Sequence, residues 1–203
     1  MSSIHPGRIT LRERTEQHVR VFFEQAQRPD IKSVLPLRAR NIDEALADFH
    51  QTLLPGASSY GRTSYLDDAY VGDVWCYCIA PNDDPQAMLS YCVFDRSAQG
   101  RGVATRAVAL FLSELSLLLG LNKIGAFTYL SNTASVRVLE KNGFILCEIP
   151  EPGSGYFTRG TERSYAAASK CRHAPPRIRF ANRHFPITKK AACRLIPADR
   201  FFI

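Results

Sequence analysis

The 203-residue chain has no run of about 18 apolar residues, which excludes a membrane-spanning helix. Its start, "MSSIHPGRITLRERTEQ", lacks the apolar stretch of a secretory signal, so a cytoplasmic location is expected. The six cysteines (Cys76, Cys78, Cys92, Cys147, Cys171 and Cys193) fit none of the usual zinc spacings, and no metal site is expected. Cys76 and Cys78 fall in "VWCYCIA", read as a strand whose period of two puts both on one face as small buried hydrophobes. Internal repeats are absent. With 45% hydrophobic and 22% charged residues the chain is not disordered throughout; its length suits one ordinary domain.

The net charge of +7 is unevenly placed. Residues 170–203 hold nine Lys or Arg against the single acid Asp199, whereas the first 169 residues hold 17 basic and 18 acidic groups. The high pI therefore belongs to the tail. Prolines at 175, 176, 186 and 197 break any sustained period there, so the chain divides into a domain, 1–169, and a basic extension, 170–203. Phe180, Phe185, Phe201 and Phe202 interleave with the basic groups, which makes the tail the segment suited to nucleic acid or another polyanion. An extension without function is the other reading.

"RITLRERT" (8–15) alternates Ile9 and Leu11 with polar neighbours, a half-buried strand. Thr15 opens a helix with Val19, Phe22, Phe23 and Ala26 on its apolar face, and Pro29 and Pro36 bound the next stretch. A second helix, 41–53, is capped by Asn41, with Glu44 in the capping-box position and Ile42, Ala45, Leu46, Phe49 and Leu53 along one side. Residues 55–65 read as a loop, then 70–80 and 87–94 as strands. A helix from about Val103 carries a stripe of Val108, Phe111, Leu112, Leu115, Leu118 and Leu119 and stops at Gly120. A strand (123–130), a helix ending at Asn142-Gly143, a strand (144–149) and a last strand from 155 complete a mixed α/β order around one sheet.

The chemistry-bearing stretch is "DRSAQGRGVATRAVALF" (95–111). Amides at a helix start lack intrahelical partners, and a preceding glycine turn lets an anion approach them. The same glycines would equally serve a tight turn between packed elements. No Lys-Ser or Lys-Thr follows them, which excludes the nucleotide P-loop. Thr105 stands where the dinucleotide fingerprint needs Gly or Ala, and the strand at 123–130 ends without an acid, which excludes that motif too.

"QGRGVA" resembles the Q/R-x-x-G-x-G/A motif of the GNAT N-acetyltransferase superfamily, with Gln99, Gly102 and Ala104 in its positions. "AMLSYCVFDRSAQGRGVATRAV" and "NTASVRVLEKNGF" are similar to the strand–turn–helix and the later Asn-x-x-Ser helix of its ribosomal-protein N-terminal acetyltransferase subgroup. The resemblance, over residues 8 to about 168, implies an α/β fold with a single mixed, splayed central sheet flanked by helices. It implies acetyl-CoA in the opening as co-substrate and an amine as acceptor, a protein N-terminus or a small molecule. The amides of Gly100, Arg101, Gly102, Val103, Ala104 and Thr105 would hold the pyrophosphate. Val93, Phe94 and Asp95 would hydrogen-bond the pantetheine, with the amide near Val93 polarising the thioester carbonyl. Asn132 would contact the pantetheine arm, or serve only as a helix cap, and the Arg101 side chain would reach the 3′-phosphate.

In many relatives a Tyr seven residues after the Asn is the acid; Leu139 stands there, and Ser135 matches the subgroup's serine. Ser135 serves equally well as an early-helix residue bonding local backbone. Met88 leaves the usual base position empty; Asp73 in "VGDVW" is the substitute, ahead of His50 and Tyr91, although a solvated strand-edge acid or a water chain is the competing reading. A homodimer is left open. The alternative function is a degraded scaffold that binds polyanions through its tail. Deleting 170–203 separates the two: acetyl-CoA turnover unchanged, with salt-dependent polyanion binding lost, assigns the tail a separate role.

Overall fold

The structure is a computed structural model that describes residues 7–35, 37–80, 86–121, 123–148 and 153–160. Seven strands form one sheet: β1 (Ile9–Glu13), β2 (Tyr60–Leu66), β3 (Ala69–Ala80), β4 (Gln86–Val93), β5 (Lys123–Tyr129), β6 (Ile145–Glu148) and β7 (Ser154–Gly160). The helices are α1 (Glu16–Ala26), α2 (Pro29–Lys32), α3 (Ile42–Thr52), α4 (Val103–Leu119) and α5 (Thr133–Lys141). The strand order is β1-β2-β3-β4-β5-β7-β6, and every pairing is antiparallel except β4 with β5. This is the mixed, helix-flanked α/β sheet the sequence predicts. The proposed tail at 170–203 and the last part of the 155–167 strand lie outside the described residues.

Alternation along β3 separates two cores. Val74 and Cys76 point to the face covered by α4 and α5, where Val108, Phe111, Leu115, Ile124, Leu139 and Phe157 pack. Trp75 and Tyr77 point to the other face, where Phe22, Ala26, Ile31 and Phe94 pack beneath α1 and α2. Burying a large side chain of this kind is worth about 1.5–3 kcal/mol, so the two layers hold the sheet from both sides.

Several expectations change. The stretch 55–65 is not all loop: β2 begins at Tyr60 and pairs with both β1 and β3. Cys78 leaves the face of Cys76 and packs in the α1 layer, because it sits at φ +52° where the β3–β4 register shifts. Leu53, Leu118 and Leu119 are exposed rather than core, each lying at the C-terminal end of its helix beyond the last buried residue, Phe49 in α3 and Leu115 in α4. Asn41 does cap α3 by accepting from Glu44 N (2.9 Å), but the Glu44 carboxylate bonds Arg40 N instead of the cap amide. Pro29 stands at the first position of the short helix α2, where a missing N–H costs nothing.

At the start of α1 a histidine does the work usually given to Glu or Gln. Thr15 N donates to His18 Nδ1 (3.1 Å), which fixes the neutral tautomer with its proton on Nε2, 2.8 Å from Tyr65 Oη. Burial lowers the His18 pKa, and Arg14 adds to this against the opposing pull of Asp73. The unfolded chain therefore takes this proton first as pH falls below about 6.5, and stability drops with it. In thermal unfolding, His18→Gln, which keeps an acceptor for Thr15 N and cannot titrate, is expected to lose less Tm than the parent between pH 7 and pH 5.

Candidate active site

The parallel β4–β5 ladder consists of three pairs, Gln86 with Lys123, Ala87 with Ile124 and Met88 with Gly125. Beyond Met88 the strands part, and a cleft of about 870 Å³ opens between them. Its walls are the free edges of β4 and β5, the turn before α4, the exposed side of α5, and α2 on the opposite face of the sheet. The opening thus passes through the sheet.

The end of β4 is shaped by a bulge. The amides of Phe94 (3.0 Å) and Asp95 (3.3 Å) both donate to Val71 O on β3. The opposite residue, Gly72, permits this approach: a Cβ there would collide with Cys92 O and lie 2.9 Å from Val93 Cα. Arg28 anchors the far side, its Nη1 donating to Phe94 O at 2.9 Å. Since successive amides of a strand point to opposite edges, Val93 N faces the cleft. Of the three residues expected to line up with a pantetheine, Phe94 and Asp95 have their amides turned to β3, and Val93 is the one on the cleft wall.

Asp95 accepts from Ser97 N (2.8 Å), closing a 3-10 turn over Arg96–Ala98, and Gln99 Nε2 donates to Val93 O (2.9 Å), folding the turn back on its strand. Gly100 (φ +71°) and Gly102 (φ +74°) then take left-handed conformations that favour glycine. Gly102 caps α4, whose first intrahelical donor is Arg106 N, bonded to Gly102 O at 3.1 Å. The amides of Val103, Ala104 and Thr105 precede it without intrahelical acceptors, at the positive end of a 17-residue helix. A Cβ built on Gly100 or Gly102 would meet no atom within 4 Å, so the turn borders open space.

Across the opening, Asn132 caps α5 by accepting from Ser135 N at 3.2 Å. Ser135 Oγ lies 2.8 Å from the Tyr91 hydroxyl of β4, which also donates to Ser135 O at 3.1 Å. Either hydroxyl can donate to the other, so a proton can pass between Tyr91 and Ser135 in both directions. Burial pushes the Tyr91 pKa above its ordinary value. Burial likewise pushes the Cys92 thiol, on the same wall, up to about 12, so it is not a nucleophile near neutral pH.

One cleft therefore gathers Val93, Gln99, Gly100, Gly102, Val103, Ala104, Thr105, Asn132 and Ser135. Arg101 is exposed and is not among the residues that line the cleft. Asp73 is neither at the cleft nor solvated: it is buried on the α1 face, in ion contact with Arg14 (3.1 Å) and accepting from Tyr70 Oη (2.6 Å). Burial pushes its pKa up against the pull of Arg14 and Tyr70. Sequence reading ranked Tyr91 low and missed Arg28. The signal for Tyr91 is its odd position on β4 with Leu89, facing the α5 side; Arg28, 66 residues from its partner, leaves no local trace.

The profile of the acetyltransferase (GNAT) domain matches residues 8–145. The chain belongs to the GNAT acetyltransferase family. Among solved structures, this GNAT chain is similar to aminoglycoside acetyltransferase AAC(6')-Ib in complex with coenzyme A, at 20% identity and a TM-score of 0.61, covering 80% of this chain and 99% of that one. It is similar to Vibrio cholerae spermidine N-acetyltransferase in complex with CoA and spermine (17% identity, TM-score 0.63, 74% and 92% covered). A third similar structure is Mycobacterium smegmatis RimJ in complex with CoA-disulfide (18% identity, TM-score 0.66, 81% and 90% covered). No curated protein gives a significant match to the sequence. At these identities the likeness fixes the fold, a GNAT sheet opened between β4 and β5.

The buried pair makes a stability prediction for this GNAT domain. Removing one partner of a buried ion pair costs about 3 kcal/mol or more, so Asp73→Asn is expected to lower Tm by roughly 6–12 °C in calorimetry. An unchanged Tm contradicts the structural role.

Proposed function

We propose that the protein is an acetyl-CoA-dependent N-acetyltransferase that moves an acetyl group to a primary amine by direct attack in a ternary complex. The observation that carries this reading is the parting of β4 from β5 beside the unpaired amide start of α4. The residues fit the co-substrate: glycines at 100 and 102 leave open space where side chains would stand, and the helix start supplies donors and positive potential for a pyrophosphate. Gly100 to Thr105 hold it through backbone amides. Asn132, at the start of α5, flanks the pantetheine arm.

The thioester supplies an activated acyl carbon; the protein orients it and handles protons. Val93 N donates to the carbonyl oxygen as charge develops there. The neutral amine attacks, the C–N bond forms and the C–S bond breaks. Ser135 Oγ gives a proton to the departing sulfur and takes one from Tyr91 Oη, 2.8 Å away, while the proton that the attacking nitrogen sheds as the amide forms passes to water, from which Tyr91 regains its own. The acceptor ammonium loses its first proton to water in the cleft, because Asp73 is held on the other side of β4 by Arg14 and Tyr70.

Three outcomes are expected. Gly102→Asp places a strained, anionic residue in the cradle and should weaken acetyl-CoA binding about 100-fold or more in calorimetry; an unchanged Kd overturns the reading. Ser135→Ala and Tyr91→Phe should each lower kcat about 10²-fold with acetyl-CoA Kd unchanged, and the double variant should cost little more than either alone. Because burial raises Tyr91 above its ordinary 10.0, the pH–rate profile should climb with deprotonation of the acceptor and show no alkaline fall up to that pH.

A further inference from the structure

The cleft has two chemically different mouths. On the α4–α5 face it presents backbone amides together with Arg137 and Lys141. On the other face its walls are Ile31 from α2, Val34 and Leu35 from the turn that follows it, Tyr77 from β3, and Phe127 and Tyr129 from β5. Alternation along β5 sends Ile124 and Ala126 into the α4–α5 core and therefore turns Phe127 and Tyr129 to the α2 side. Three of these apolar groups keep much of their surface open: Val34 is 42% exposed, Phe127 38% and Tyr129 47%.

Among the described residues, Asp30 is the only carboxylate that lines the cleft. It is already engaged: Arg28 donates to it at 2.7 and 3.2 Å and Arg96 at 3.1 and 3.3 Å. Two guanidiniums on one carboxylate leave this rim with net positive charge. A polyamine or an aminoglycoside would bring several ammonium groups to it, where among the described residues no free carboxylate stands to receive them, and desolvating unpaired ammonium groups is costly. An aromatic amine instead buries its ring among like groups, and the faces of Tyr77, Phe127 and Tyr129 can hold a single ammonium before it is deprotonated.

We propose that the acceptor of this site is a primary amine carried on an apolar, aromatic group, and that polycationic amines are poor acceptors. The proposal rests on the acetyltransferase reading above. It is tested with the full chain by following thiol release from acetyl-CoA with 2-phenylethylamine, tryptamine, spermidine and kanamycin. The expected result is a kcat/KM for the two aromatic amines at least ~10-fold above that for spermidine or kanamycin. Val34→Asp, a change at an exposed position, should lower kcat/KM for 2-phenylethylamine ~10-fold while acetyl-CoA Kd stays unchanged, and Tyr129→Ala should do the same through KM. Spermidine or kanamycin matching the aromatic amines overturns the proposal, as does failure of both aromatic amines while acetyl-CoA binds in calorimetry, or indifference to both variants. Failure of acetyl-CoA itself to bind overturns the acetyltransferase reading along with it.

Discussion

The parallel pairing of β4 and β5 ends after three residue pairs, and the site is a consequence of that short ladder. A parallel pair needs a long crossover, and here the crossover is α4. It must begin where β4 ends, which is the end at which the strands have parted. The positive terminus of a 17-residue helix is thereby delivered to the opening. Two contacts hold β4 away from its neighbour. The bulge at Phe94 and Asp95 turns two amides toward β3, and Arg28 grips the Phe94 carbonyl from the α2 side. With its end drawn toward β3 and α2, β4 leaves the edge of β5 open.

The polar side chains divide between support and cleft. Buried Asp73 and the half-buried Arg14, Tyr70 and His18 form a set that ties β3 to the start of α1. Its acid is paired and hydrogen-bonded, as a carboxylate at that depth requires. Tyr91 and Ser135 lie on the cleft, where the hydrogen bond between them links β4 to α5 across the gap. A hydroxyl pair suits that position because it spans the opening without bringing charge into it.

Much of the fold is legible in local sequence. The glycine turn, the Asn caps at 41 and 132, the left-handed stop at Gly143 and the apolar stripe of α4 all act within a few residues of themselves. β2 is not legible for a physical reason: Thr63 and Ser64 are buried in its centre, so a strand satisfied by two neighbours reads as polar loop. Asp73 misleads in the same way, since the cation that permits its burial lies on the far side of β2 in sequence, at Arg14. The displacement of Cys78 follows from a register shift between two strands, which neither strand announces alone.

The same distinction separates the side of the cleft proposed to hold the donor from the side proposed to hold the acceptor. The donor side is built from backbone: glycines whose positive φ leaves amides exposed, a strand amide, a helix terminus. Backbone geometry demands particular residues at fixed spacing, so it writes a motif. The α2-side mouth is built from side chains on α2 and the turn after it, β3 and β5, segments nearly 100 residues apart, brought together by the splay. Nothing in the backbone fixes what those side chains are, provided that α2 and β5 keep their buried faces. Val34, Phe127 and Tyr129 therefore can vary without disturbing the glycine turn or the ladder that opens the cleft. On the proposed reading the donor side is constrained by backbone geometry and the acceptor side is not, so the acceptor has to be read from the charge and surface of that mouth.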